Sequence, residues 1–275
     1  MYRGLSVVAL RSPTLPPASH TNAWILGEDN VVVVDPASPW PDEQDALISA
    51  LDGLNVSAIF LTHHHHDHIA GASQLRREKN APILAHPHTC EHVPFAVDTK
   101  VDEGFTIDTE SESWRAIHTP GHARGHLCLI SDSHDVIAGD MIAGVGTIVL
   151  DPPEGNLGDY LCSLQRLIDL DPRTLFPAHG PDLTDPQTTL THYIKHRRMR
   201  TDQILEALKQ RKQPSQPHDL VYSVYGTSIS NAIMPVAARQ VLCHLHWLVE
   251  HGQVKHHING FELISKSSAT LTGAQ

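Results

Sequence analysis

Histidine outnumbers lysine and arginine together in this chain of 275 residues, 22 against 20. The densest cluster is Thr62-His63-His64-His65-His66-Asp67-His68, directly after the apolar run Ala58–Leu61. Imidazole nitrogens beside a carboxylate suit zinc or a related borderline metal. A strand ending in such a loop would aim its ligands from a rigid base. The competing readings are a solvated histidine-rich loop and an engineered tag, although tags normally sit at a terminus. Three further segments favour a metal. His118-Thr119-Pro120-Gly121-His122 puts a histidine on a tight turn, Ile137-Ala138-Gly139-Asp140 ends an apolar run with a carboxylate, and Phe176-Pro177-Ala178-His179-Gly180 ends another with a histidine. Each alone is the ordinary pattern of a capping residue; four in succession are not.

The elements needed to position these groups are legible in outline. Strands are predicted at Trp24–Gly27, Val31–Asp35, Ala58–Leu61, Ile83–Ala85, Arg115–His118, Leu127–Ser131, Val136–Ala138 and Thr147–Leu150. Helices are predicted at Asp42–Asp52, Ala70–Lys79 and Asp159–Leu170, the last with Tyr160, Leu161, Leu164, Leu167 and Ile168 on one face. Short strands mixed with helices suggest stacked sheets covered by helices.

The pattern HxHxDH, then a distant His, an Asp and a His resembles the metallo-β-lactamase-fold superfamily over residues 5–185. The resemblance implies an αββα sandwich (α/β class) with a dinuclear zinc site along one edge. It implies that His63, His65 and His122 hold one ion, that Asp67, His68 and His179 hold the other, and that Asp140 bridges them. His64 and His66 fall between motif positions and are not carried over. Two divalent ions about 3.5–4 Å apart can share a water, lower its pKa and polarise a substrate oxygen. Asp67 and Asp140 would carry the catalytic roles, and whether Asp67 ligates or hydrogen-bonds the attacking hydroxide stays open. Thr62, Thr119 and Gly121 are expected to shape the loops or orient the ligand histidines. Lactamases of this superfamily commonly lack the bridging Asp, so Asp140 disfavours lactam hydrolysis. Oxygen-reducing di-iron relatives carry Glu where this chain has His65. Glyoxalase-II enzymes share the ligands, but their glutathione-binding basic residues find no match here.

Charge divides the chain. Residues 1–189 hold 10 basic and 26 acidic side chains, net −16, whereas residues 190–275 hold 10 and 5, net +5. Two modules are expected, with a catalytic domain over 1–189, a second over 190–265 and a flexible tail over 266–275. The second reads as a helix at Thr191–Lys212, the segment Val221–Tyr225 and a polar turn, a helix at Met234–Glu250, and a hairpin around Asn259-Gly260. That order resembles a winged helix and, after such a catalytic domain, the lactamase-β-like subgroup of thioesterases and an endoribonuclease. The overall charge of −11 excludes a simple nucleic-acid-coating protein. No apolar stretch approaches the ~18 residues of a membrane span, and the four-residue apolar run near the start is too short for a signal peptide. Four widely spaced cysteines without a CxxC pair read as reduced thiols in the cytoplasm. The leading expectation is hydrolysis of a small-molecule thioester or ester through a metal-bound hydroxide. An endoribonuclease whose basic module contacts nucleic acid is second and a lactonase third, with a non-catalytic metal-binding regulator as the other class.

Overall fold

The structure is a computed structural model, and it describes residues 3–211, 213–227 and 229–264. The chain divides into two compact units, Met1–Lys195 and His196–Gln275. The division lies inside a helix, six residues beyond the expected 189/190 boundary, because the proline-rich stretch before it opens that helix rather than separating domains. The expected tail at 266–275 lies outside the described residues.

In the first unit, strands β1 (Leu5–Arg11), β2 (His20–Leu26), β3 (Asn30–Val34), β4 (Asn55–Leu61), β5 (Ile83–Ala85) and β6 (Thr99–Lys100) form one sheet in chain order. Strands β7 (Thr106–Asp108), β8 (Ser113–His118), β9 (Leu127–Ser131), β10 (Asp135–Gly139) and β11 (Thr174–Pro177) form a second, again with neighbours in chain order. Helices α1 (Pro41–Ala50), α2 (His66–Ile69), α3 (Ala72–Lys79), α4 (Pro87–Cys90) and α5 (Leu157–Asp169) connect them. The β3 sequence Asn-Val-Val-Val-Val shows why the layers form. Val31 and Val33 pack with Leu47 and Leu51 of α1 and its C-terminal turn, and with Leu75 of α3. Val32 and Val34, pointing the other way, join Trp24 and Phe60 against Trp114, Leu129, Ile137 and Phe176 of the second sheet. A strand apolar on both faces is stable only between two layers. On α5, Leu157, Tyr160, Leu164 and Leu167 are buried, giving the helix–sheet–sheet–helix sandwich.

One predicted strand is absent, one predicted helix starts later, and strand β1 is not among those predicted. The strand expected at Thr147–Leu150 is absent, since this segment is irregular and the Val149 carbonyl accepts a side-chain hydrogen bond instead of a ladder bond. The helix expected over Ala70–Lys79 is α3, which starts two residues later at Ala72 because Gly71 separates it from the short α2 before it. A Cβ there would stand 2.1 Å from the Pro36 carbonyl oxygen, so only glycine lets the loop after β3 approach this closely. Strand β1 is legible only as a short apolar run, because its outward residues are polar or half-exposed.

The second unit takes up the C-terminal part of α6 (Pro186–Arg211), then α7 (Pro217–Tyr225), α8 (Met234–Glu250) and a hairpin of β12 (Val254–His257) and β13 (Gly260–Leu263). Its own core gathers Ile204, Leu208, Val221, Val241, Leu245 and Phe261. Val221–Tyr225 closes α7, which a reciprocal capping box between Gln216 and Asp219 begins. No helix among the described residues is long and apolar enough to cross a membrane.

Candidate metal centre

Strands β3 and β4 run parallel, and so do β8, β10 and β11, through the antiparallel β9 between β8 and β10. Their C-terminal ends carry the chemistry: Asp35 after β3, Thr62 to His68 after β4, His122 after β8, Asp140 after β10 and His179 after β11. All seven residues expected from the motif converge, in two groups. The first comprises His63, His65, His122 and Asp140, the second Asp67, His68 and His179.

In the first group, His63 Nε2 lies 3.0 Å from His65 Nδ1 and 3.2 Å from His122 Nε2, and His122 Nε2 lies 2.8 Å from His65 Nδ1. Three ring nitrogens this close can share protons only in part, and lone pairs turned on one another would repel. A cation at their centre resolves that conflict: zinc–nitrogen bonds of ~2.0–2.1 Å in tetrahedral array set donors ~3.3 Å apart. In the second group, His179 Nε2 is 3.5 Å from Asp67 Oδ2. Asp140 stands between the two. Its Oδ1 faces His179 Nε2 at 3.3 Å and His68 Nε2 at 3.5 Å, whereas its Oδ2 faces His122 Nε2 at 3.4 Å. His68 Nε2 and Asp140 Oδ1 are buried without a hydrogen-bond partner. The donor set and these orphaned atoms fit a pair of metal ions.

The outer nitrogens are fixed as a metal site requires. His122 Nδ1 donates to the Val149 carbonyl (2.7 Å) and His179 Nδ1 to the His20 carbonyl (2.9 Å). His68 Nδ1 donates to Asp35 Oδ2 (2.8 Å). Thr62 gives its hydroxyl hydrogen to Asp35 Oδ2 (2.6 Å) and its backbone N–H to Asp35 Oδ1 (2.8 Å). Its oxygen is thereby left to accept from His63 Nδ1 (3.0 Å). In the neutral form, therefore, each of these four histidines turns its Nε2 lone pair inward. Without a metal, burial and then the neighbouring histidines hold His63 well below the usual imidazole range, and burial does the same for His122. For His68 burial acts downward, but Asp140, Asp35 and Asp67 outweigh it and raise it well above that range.

Of the expected supporting residues, Thr62 orients His63, and Thr119 lies behind the site, bonded to His126 and Cys128. Sequence reasoning missed Asp35, His126 and the carbonyls of His20 and Val149. Asp35 had a signal, a carboxylate closing an apolar strand, the same pattern that marked Asp140. The carbonyls had none, because any residue supplies one. His64 lies half-buried and stacked on His92 at 4.7 Å, and His66 is exposed on α2. Alanine at either is expected to leave metal content unchanged, whereas His63→Ala or His65→Ala should strip the first group. Elemental analysis of the four variants checks this, and the reverse order would put the motif one residue out of register.

A third group, His86, Asp102 and His118, also brings donor atoms together. The His86 and His118 rings are stacked at 4.5 Å and 9°, so their in-plane lone pairs do not meet at one point. His86 Nδ1 also accepts the His88 N–H, which places its proton on Nε2, the nitrogen 3.3 Å from Asp102. This is a hydrogen-bonded stack rather than a ligand set.

A two-sheet sandwich with seven His and Asp side chains gathered at one edge defines the class of a metal-binding hydrolase scaffold. The family described as the Metallo-beta-lactamase superfamily matches residues 16–179, and the chain belongs to it, a family whose members are mostly metal-dependent hydrolases. It is 29% identical over 263 residues to the Beta-lactamase-like protein 2 homolog of Drosophila melanogaster, covering 89% of this chain and 87% of the relative. It is 32% identical over 225 residues to the Atrochrysone carboxyl ACP thioesterase of Claviceps purpurea, covering 79% and 70%. Among solved structures, a metallo-beta-lactamase family protein from Thermus thermophilus superposes with a TM-score of 0.81 at 23% identity, over 96% of this chain and 99% of the other.

Proposed function

We propose that the chain is a dinuclear zinc hydrolase of small-molecule thioesters or esters. The observation that carries this reading is the Asp140 carboxylate, one oxygen turned to each ligand group. His63, His65 and His122 would hold the first ion, Asp67, His68 and His179 the second, and Asp140 both. When bound, such a pair supplies a Lewis acid for a carbonyl oxygen and a water whose pKa falls to about 7. The chain's own part is to keep the Nε2 lone pairs turned inward through Asp35, Thr62 and the two carbonyls. The carboxylates of Asp67 and Asp140 would offset the charge of the ions, and Asp67, which is partly exposed, would either ligate the second ion or accept a hydrogen bond from an attacking water. A thioester substrate is supported by the thioesterase-named relative.

An endoribonuclease is the second reading, favoured by the +5 balance of residues 190–275. The second unit, three helices and then a hairpin, fits a winged-helix-like module in its order of elements. Two of its basic side chains are turned inward. Arg197 is buried and bonded to Gln240, and Arg200 donates to the Val224 carbonyl while lying over the Tyr225 ring at 4.6 Å. Of the Arg197, Arg198 and Arg200 cluster, only Arg198 is exposed. Zinc-loaded protein assayed side by side on acyl-thioesters, lactones, nitrocefin and single-stranded RNA should turn over the thioester best. Preferential RNA cleavage, with affinity falling by a log–log slope of about 0.7 per phosphate contact as salt rises, would replace this reading with the second.

A further inference from the structure

Behind Asp140 lie three side chains that the proposed chemistry does not use. His126, Thr119 and Cys128 are each fully buried, and their hydrogen bonds admit one arrangement of protons. A carbonyl can only accept, so Cys128 donates its thiol hydrogen to the Ala138 carbonyl (3.5 Å). The sulfur is then the acceptor for the Thr119 hydroxyl (3.3 Å). Thr119 Oγ1 in turn accepts from His126 Nδ1 (2.9 Å). That leaves His126 Nε2 unprotonated, and it accepts the backbone N–H of Asp140 (3.0 Å). Both ends of the chain of bonds are backbone groups whose roles cannot reverse, and a neutral imidazole has the single proton required. Those ends, Ala138 O and Asp140 N, flank Gly139. Gly139 sits at φ +48°, and a Cβ on it would come within 2.5 Å of His126 Nε2.

We infer that His126, Thr119 and Cys128 form a positioning relay of fixed polarity that clamps the Ala138–Asp140 turn and so sets the Asp140 carboxylate between the two ligand groups. The relay rests on the metal-centre reading above for its purpose, though its proton order does not. With every member buried, no solvent can take over a broken link, and a lost bond leaves a donor or acceptor unsatisfied in the interior. Cys128 is then retained as a thiol that both donates and accepts. Serine can do the same, and alanine cannot.

Two measurements test this on the full chain. Nitrogen-15 NMR of the metal-free protein should show His126 with its proton on Nδ1, and a proton on Nε2 would overturn the relay. Zinc competition titrations should then separate two small changes. Cys128→Ala, which cuts the relay with little loss of volume, should weaken the less tightly held ion about 10–100-fold, the usual cost of losing an orienting partner. Cys128→Ser should hold it close to wild type. Wild-type affinity in Cys128→Ala, or equal losses in both variants, overturns the assignment. His126→Leu would bare the Asp140 N–H and could unfold the chain, so the cysteine pair carries the test. A wild type that binds two ions yet cleaves no acyl substrate overturns the proposed function and leaves the relay standing. One that binds fewer than two sinks the dinuclear reading, and the tautomer alone then decides the relay.

Discussion

Replacing Asp140 with alanine is expected to reduce bound zinc from two ions per chain to about one and to lower thioester turnover roughly a thousandfold. The size follows from the geometry. Asp140 alone presents an oxygen to each group, at 3.3 Å from His179 and 3.4 Å from His122. Without it, two divalent charges would face one another with no anion between them, and the second group would keep only Asp67, His68 and His179. Losing a Lewis acid from the reacting centre removes several kcal/mol of transition-state stabilisation, and about 4 kcal/mol corresponds to roughly a thousandfold in rate. The fold should survive, since the backbone N–H of residue 140 still donates to His126 and only a side chain at the rim of the sandwich is lost. Elemental analysis after zinc-replete expression, paired with single-substrate kinetics, reads both effects. Two retained ions with full activity would mean that the groups act without a bridge.

The ligands were legible before the fold because their chemistry and spacing coincide: His63, His65, Asp67 and His68 occupy one loop, His122 sits on a tight Pro-Gly turn, and Asp140 and His179 each follow an apolar run. The layers were legible where strands are apolar on both faces, as in Val31–Val34. They were less so where half of a strand faces solvent, as in β1, or where only two or three residues pair, as in β6 and β7. Local pattern failed at Thr147–Leu150, whose β-branched residues suit a strand. There the tertiary demand of His122 for an acceptor determines what the Val149 carbonyl does. Of the basic side chains counted in residues 190–275, Arg197 and Arg200 turn inward to Gln240 and the Val224 carbonyl, whereas Arg198, Lys209, Arg211, Arg239 and Lys255 are exposed. Composition counts charges without saying which of them face water.

Asp35→Asn should separate shape from proton placement at the second group. The substitution keeps size and packing, and one amide oxygen can still accept the Thr62 N–H, as Asp35 Oδ1 does at 2.8 Å. The other position becomes an NH2 group, facing His68 Nδ1 where a carboxylate oxygen stood at 2.8 Å. Two donors cannot share that contact. His68 would relieve it by moving its proton from Nδ1 to Nε2, the nitrogen that faces Asp140 and Asp67. A protonated Nε2 has no lone pair for a metal, so the second ion should be bound at least ten- to a hundredfold more weakly. Thermal stability of the metal-free chain should change far less than in Asp35→Ala. Alanine strips the acceptor from the Thr62 N–H, the Thr62 hydroxyl and His68 together, all of them buried. Breaking a buried, hydrogen-bonded charge in that way costs about 3–5 kcal/mol. Zinc titration with nitrogen-15 NMR of His68 distinguishes the two variants. Asp35→Asn with wild-type affinity and Nδ1 still protonated would show that the carboxylate serves the loop after β3 and not the metal. The expected inverse, an intact fold with a reversed His68 tautomer and a single retained ion, would locate the control of the second ion in a residue that never touches it.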